Sequence, residues 1–171
     1  MNYLKYYFLE DSLFSEVTTA FQGRGYLTAE EFFSIVIWKA NRAKSRIKQK
    51  LLAHNKDLAT IVKTLTQEIH DAPNDQERLS LFLTKWRFPL PMASAILAVL
   101  YPDRFTVYDV RAREQLEIKD FAGRKNEVDH YFTDFLPKVT GITHARTLRD
   151  KDRYLWGKSV YEDLRNFLKT T

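Results

Sequence analysis

Apolar residues recur along this chain mostly at intervals of three and four, the spacing that lines one face of a helix. Phe32, Phe33, Val36 and Ile37 form one such face, Ala43, Ile47 and Leu51 a second, and Trp156, Val160, Leu164 and Phe167 a third. Only five glycines and five prolines interrupt the pattern, and neither a repeat nor a low-complexity linker divides it. The pattern predicts seven or eight helices in a single all-α domain spanning residues 1–171.

Local signals place the boundaries. A first helix over about residues 4–21 should stop at "QGRG", where Gly23 and Gly25 can take positive φ. "TAEE" from Thr28 to Glu31 has the form of a capping box, and Asp57 and Asp75 stand where N-caps belong. Pro91 suits the first residue of a helix, since it lacks the N–H that this position leaves unpaired. The "MASAILAVLY" that follows is expected to be the central buried helix, and "PDRFTVYD" an extended connector to a helix from about Val110. "NEVDHYFTDFLPKVTG" reads as a helix kinked or ended near Pro137. The final helix should close the core with its Trp156 line.

At 171 residues the chain can bury a substantial core. Zero cysteines exclude disulfides, thiol catalysis and thiolate metal sites, and the four histidines lack paired ligand spacing. Neither metal nor cofactor is expected. No apolar run reaches the ~18 residues of a membrane span, and the N-terminus lacks the pattern of a cleaved signal, so a cytoplasmic protein without a membrane partner is expected.

The net charge of +5, with a pI of about 9.3, is unevenly spread. Between Trp38 and Lys56 seven lysines and arginines occur with no acidic residue, and Arg42, Arg46 and Lys50 fall on one stripe. This segment can be a solvated face, a solubilising one, or a grip for phosphates. Trp38 can be core or a surface on which a base stacks, and Asn41 a local cap or a contact to a base edge. Asp109 can cap the helix after it or serve as a catalytic carboxylate.

The stretch "FPLPMASAILAVLYPDRFTVYDVRA" (88–112) resembles the helix-hairpin-helix superfamily of base-excision DNA glycosylases, in particular its endonuclease III-like members. "MA" at Met92 and Ala93 stands at the start of the family's buried helix, and Asp109 follows Ala93 by sixteen residues, where the catalytic aspartate is found. Upstream, "EEFFSIVIWKANRAKS" is similar to the family helix whose glutamine enters the DNA, here Asn41. The resemblance covers roughly residues 28–112. It implies a compact multi-helix fold of the glycosylase type and hydrolysis of the N-glycosidic bond of a damaged or modified base in duplex DNA, as in base excision repair.

Asp109 would be the essential carboxylate, with Lys39, Asn41, Arg42, Arg46, Lys85, Arg87 and Arg111 as DNA contacts and Trp38 and Tyr108 at the base pocket. Two departures limit the analogy. The lysine nucleophile of bifunctional members falls at Pro91, so any activity at that position is monofunctional. The hairpin glycines fall at Arg87 and Pro89, which weakens phosphate gripping by backbone N–H groups. The alternative on the same fold is a non-catalytic module that binds nucleic acid or a protein partner. "LRDKDRYLW" (148–156) reads as a salt-bridged surface and is assigned no chemistry.

Overall fold

Every regular element in the structure, a computed structural model that describes residues 3–169, is helical. Two short turns, α1 (Leu4–Tyr7) and α2 (Leu9–Ser12), lead through a π turn at Leu13–Val17 into α3 (Thr18–Arg24). Gly25 ends α3 at φ +77°, its N–H donating to the Phe21 carbonyl at 2.8 Å, and a Cβ there would sit 3.3 Å from the His70 ring. The glycine is required by both its backbone and its neighbour.

α4 (Ala29–Ala40) begins at the expected capping box: Glu31 N–H donates to Thr28 Oγ1, and Thr28 N–H donates to the Glu31 carboxylate at 2.8 Å. The ladder breaks at Ala40 (φ −160°, ψ 81°), and a tight 3-10 turn, Asn41–Ala43, redirects the chain into α5 (Lys44–Leu52). Asp57 caps α6 (Leu58–Asp71) as expected. The cap of α7 (Asp75–Ser80) is Asn74 instead of Asp75; Asp75, one residue inside, pairs with Arg104 at 2.6 Å and Arg78 at 3.3 Å.

A π turn at Leu81–Lys85 precedes α8 (Leu90–Leu100), in which every residue except Pro91 is buried. α3, α4 and α7 pack around α8, which is the central helix the sequence implies. α9 (Val110–Gln115), α10 (Glu127–His130), a π turn at Tyr131–Phe135, α11 (Leu136–Thr140) and α12 (Leu148–Lys169) complete the fold, and the chain continues helically through Pro137. Among the described residues no helix is long and apolar enough to cross a membrane.

The connector Phe105–Tyr108 is buried without a ladder partner, so side chains satisfy its backbone. The Tyr131 hydroxyl accepts from Thr106 N–H at 2.9 Å and donates to Thr106 C=O at 2.6 Å, while Ser94 Oγ accepts from Tyr108 N–H at 2.9 Å. These bonds fix where Asp109 begins α9.

The docking face of α12 differs from the expected one. Asp152, Leu155 and Ser159 are its buried residues and Leu148 packs beside them, whereas Trp156, Leu164 and Phe167 are more than half exposed. α12 rests on α9 and α11, its contacts with α9 reaching Glu162 and Asp163, and beyond them the helix is exposed on all sides.

Candidate functional site

A cleft of about 430 Å³ opens where the C-terminal end of α4, the connector before α9, α2 and the first half of α12 meet. Ala40 ends α4 with Trp38 and Lys39 at the wall, and the pinned connector places Val107 and Asp109 opposite.

Asp109 performs two tasks with its two oxygens. Oδ1 accepts from Arg111 N–H at 3.0 Å and so caps α9; Oδ2 accepts from Lys39 Nζ at 2.6 Å at the cleft wall. Cap and cleft carboxylate are therefore compatible. Burial alone would raise the Asp109 pKa, but the Lys39 ammonium, the Arg111 N–H and the Arg111 charge outweigh it and hold the carboxyl below its ordinary range. The group stays ionised although partly withdrawn from water.

Arg149 organises the other wall. Its guanidinium donates to Glu10 Oε1 at 2.7 Å and to Asp152, and lies over the rings of Phe14 at 4.8 Å and Trp38 at 5.1 Å. Arg153 also donates to Glu10 at 2.7 Å. Burial pushes against ionisation of Glu10, yet Arg149 and Arg153 together keep its pKa low. Asp152 is different. It is 5% exposed, and burial, countered by Arg149 and Lys39 and reinforced by the nearby Asp109, pushes it up to about 6.

The sequence-derived candidates separate into groups. Trp38 lines the cleft, but its Nε1 donates to Glu10 at 3.2 Å and Arg149 covers its ring, so it is a fixed wall. Tyr108 turns away into the core: its ring meets Phe121 and Phe135, its hydroxyl donates to Asp120 at 2.9 Å, and burial pushes its pKa up to about 12. Arg111 reaches to α12, where it donates to Ser159 at 2.9 Å and Asp163 at 2.5 Å and lies over Trp156. Lys85 pairs with Glu68 at 2.8 Å, and Asn41 accepts from Lys44 at 2.5 Å.

Arg42, Arg46 and Arg87 have no carboxylate within ion-pair distance among the described residues, and neither do Lys48 and Lys50. Lys50 donates to the Arg87 carbonyl, which joins α5 to the turn before α8. Burial, then the neighbouring Arg87 and Arg46 charges, lowers the Lys50 pKa. Like charges gathered without an internal counter-ion form a positive patch open to an anion.

The sequence reading missed Glu10 and the whole contribution of α12: Arg149, Asp152, Arg153 and Trp156 all line the cleft. A signal was present. Asp152 occupies the same helical stripe as Leu148, Leu155 and Ser159, a position where an apolar residue belongs. Among the described residues no three carboxylate or histidine side chains gather as a metal site would require. The chain matches no protein-family model, no curated protein and no solved structure.

Proposed function

We propose that this protein hydrolyses the N-glycosidic bond of a damaged or modified base in duplex DNA, as a monofunctional glycosylase-like enzyme with Asp109 as its essential carboxylate. The observation that carries the reading is the state of Asp109: ionised, half-withdrawn from water, fixed by a backbone N–H, and facing a cleft beside the aromatic ring of Trp38. Positive charge grows on the sugar as the base leaves, and a carboxylate held there lowers the barrier and orients water. Two further features agree. The cations Arg46, Lys50 and Arg87 have no internal counter-ion, and phosphates would supply one. Arg87 adopts φ +52°, a left-handed backbone, at a position where the resemblance puts a glycine.

The test uses purified protein and duplex oligonucleotides each carrying one of uracil, hypoxanthine, 3-methyladenine, 7-methylguanine or 8-oxoguanine, assayed for alkali-labile sites. Release is expected on at least one duplex, and Asp109→Asn should abolish it while the circular dichroism spectrum stays unchanged. No release from any duplex, with no binding at low salt, overturns the reading.

One contact favours a second reading, a non-catalytic nucleic-acid-binding module. Lys39 already neutralises Asp109 at 2.6 Å, so the carboxylate has a built-in partner that substrate would have to rearrange. Duplex binding with no base release on the same panel supports the module.

A further inference from the structure

Of the three carboxyl groups that line the cleft, two stand in opposite circumstances. Asp109 is held by Lys39 and a backbone N–H. Asp152 lies on the buried stripe of α12, and Arg149 is its hydrogen-bond partner among the described residues. That guanidinium is shared: it also serves Glu10 and lies over the adjoining rings of Phe14 and Trp38. One Asp152 oxygen, Oδ2, is thus engaged by part of a divided partner, and among the described residues Oδ1 takes no hydrogen bond from the protein on a side chain that lines the cleft. Every element packed here presents its charge: Arg149 from α12 itself, Lys39 from α4, Asp109 from the connector, and Glu10 from α2 through Arg149. The nearby Tyr131 hydroxyl is committed to the Thr106 backbone.

Resting on the glycosylase reading above, we propose that Asp152 is a second catalytic residue of this cleft, the acid that protonates the base as it departs. When the C1′–N bond breaks, its electron pair goes to the base, and the Asp152 carboxyl gives its proton to a ring nitrogen. Water adds to C1′ to form the hydroxyl of the abasic sugar, and its released proton passes to the Asp109 carboxylate. Exchange with solvent returns Asp152 to the acid and Asp109 to the carboxylate, so the net reaction consumes one water and frees one neutral base. Two neighbouring carboxyls can divide the work in this way only if their environments separate them. Burial with a divided partner does so for Asp152, pushed up to about 6, while Lys39 keeps Asp109 low.

The experiment follows single-turnover release from pH 5 to 9 on whichever of the uracil, hypoxanthine and 8-oxoguanine duplexes the wild type acts on; 3-methyladenine and 7-methylguanine are cationic in the nucleoside and leave neutral without an acid, so release confined to them overturns this assignment. Wild-type release should fall about tenfold per pH unit above pH 6, the loss of a required acid. Asp152→Asn should slow release at pH 6 by about a hundredfold or more and flatten that limb, and Asp152→Glu should restore it. A buried structural aspartate would leave the limb in place. If Asp152→Asn does not fold, carbon-13 titration of the aspartate carboxyls in the wild type decides: a carboxyl titrating between pH 5 and 7 supports the proposal, and none in that window overturns it. Release with the limb intact in Asp152→Asn overturns this assignment and leaves the glycosylase reading standing. Absence of release from every duplex overturns both.

Discussion

Asp109 and Asp152 lie in one cleft and meet opposite electrostatic fates, because one has a whole ammonium and a backbone N–H while the other has a shared guanidinium and deeper burial. This has a consequence for stability. An aspartate whose folded pKa lies above its ordinary value of 3.8 contributes stability that is complete below that value and is lost as pH rises through about 6. Glu10 and Asp109, held low, act in the reverse sense: their contribution is present above the ordinary carboxylate range and is lost as pH falls through their lowered folded values. Thermal melts should therefore show the wild type losing on the order of 5 °C between pH 4.5 and 7. Asp152→Asn should lose none of it, and an equal decline in both proteins would remove Asp152 as the cause. Asp109 could be singled out from the sequence through its position before a helix. Asp152 left only the signal of a carboxylate on an otherwise buried stripe; that it is pushed toward the acid form depends on burial and on what other elements bring beside it.

At the scale of elements, the connector before α9 determines whether the site exists. It is buried, yet it has no strand to pair with, and the Tyr131 hydroxyl satisfies both backbone groups of Thr106. Tyr131→Phe removes that hydroxyl with little change of shape and leaves a buried N–H and C=O without partners. A loss of about 2 to 4 kcal/mol follows from the cost of orphaned buried groups. Urea denaturation should show a lower midpoint with an unchanged slope; a midpoint within error of wild type would mean that water replaces the hydroxyl. The helix starts at Thr28 and Asp57 were legible because a cap is a short-range bond between residues three apart. The Asp75 cap was misplaced by one residue because Asp75 is used otherwise, in a pair with Arg104 across the fold and with Arg78 one turn along α7. The docking face of α12 was misread for a related reason. Periodicity finds apolar stripes, and on α12 the more apolar stripe faces solvent while the stripe carrying Asp152 faces the core.

Across the whole molecule, charge is partitioned. Most acidic side chains of the body are spent on internal pairs, including all three in the cleft, while the α5 cations and Arg87 remain without carboxylate partners among the described residues. If this patch holds phosphates, binding to undamaged duplex DNA should weaken steeply with salt, and each lost phosphate contact should reduce the log–log slope by about 0.9. The double variant Arg46→Ala, Arg87→Gly should reduce it by about 1.8. Glycine at 87 suits the left-handed backbone there, so stability should not fall. An unchanged slope in fluorescence anisotropy titrations would move DNA away from this face.

The sequence by itself determined the all-helical class, the central buried helix, placed from Pro91 and found one residue earlier, the positive character of α5 and the cap at Asp109. Each depends on spacing or composition within a few turns of chain. Only the tertiary structure decided which side of α12 is inside, that Tyr108 is core, that Arg111 is spent on α12, and that Glu10, Arg149 and Asp152 complete the cleft. Those facts depend on contacts between different elements, from Tyr108 with Phe121 to Glu10 with Arg149 at the far end of the chain, and no local period records which distant side chain will arrive to neutralise a charge or to leave it buried.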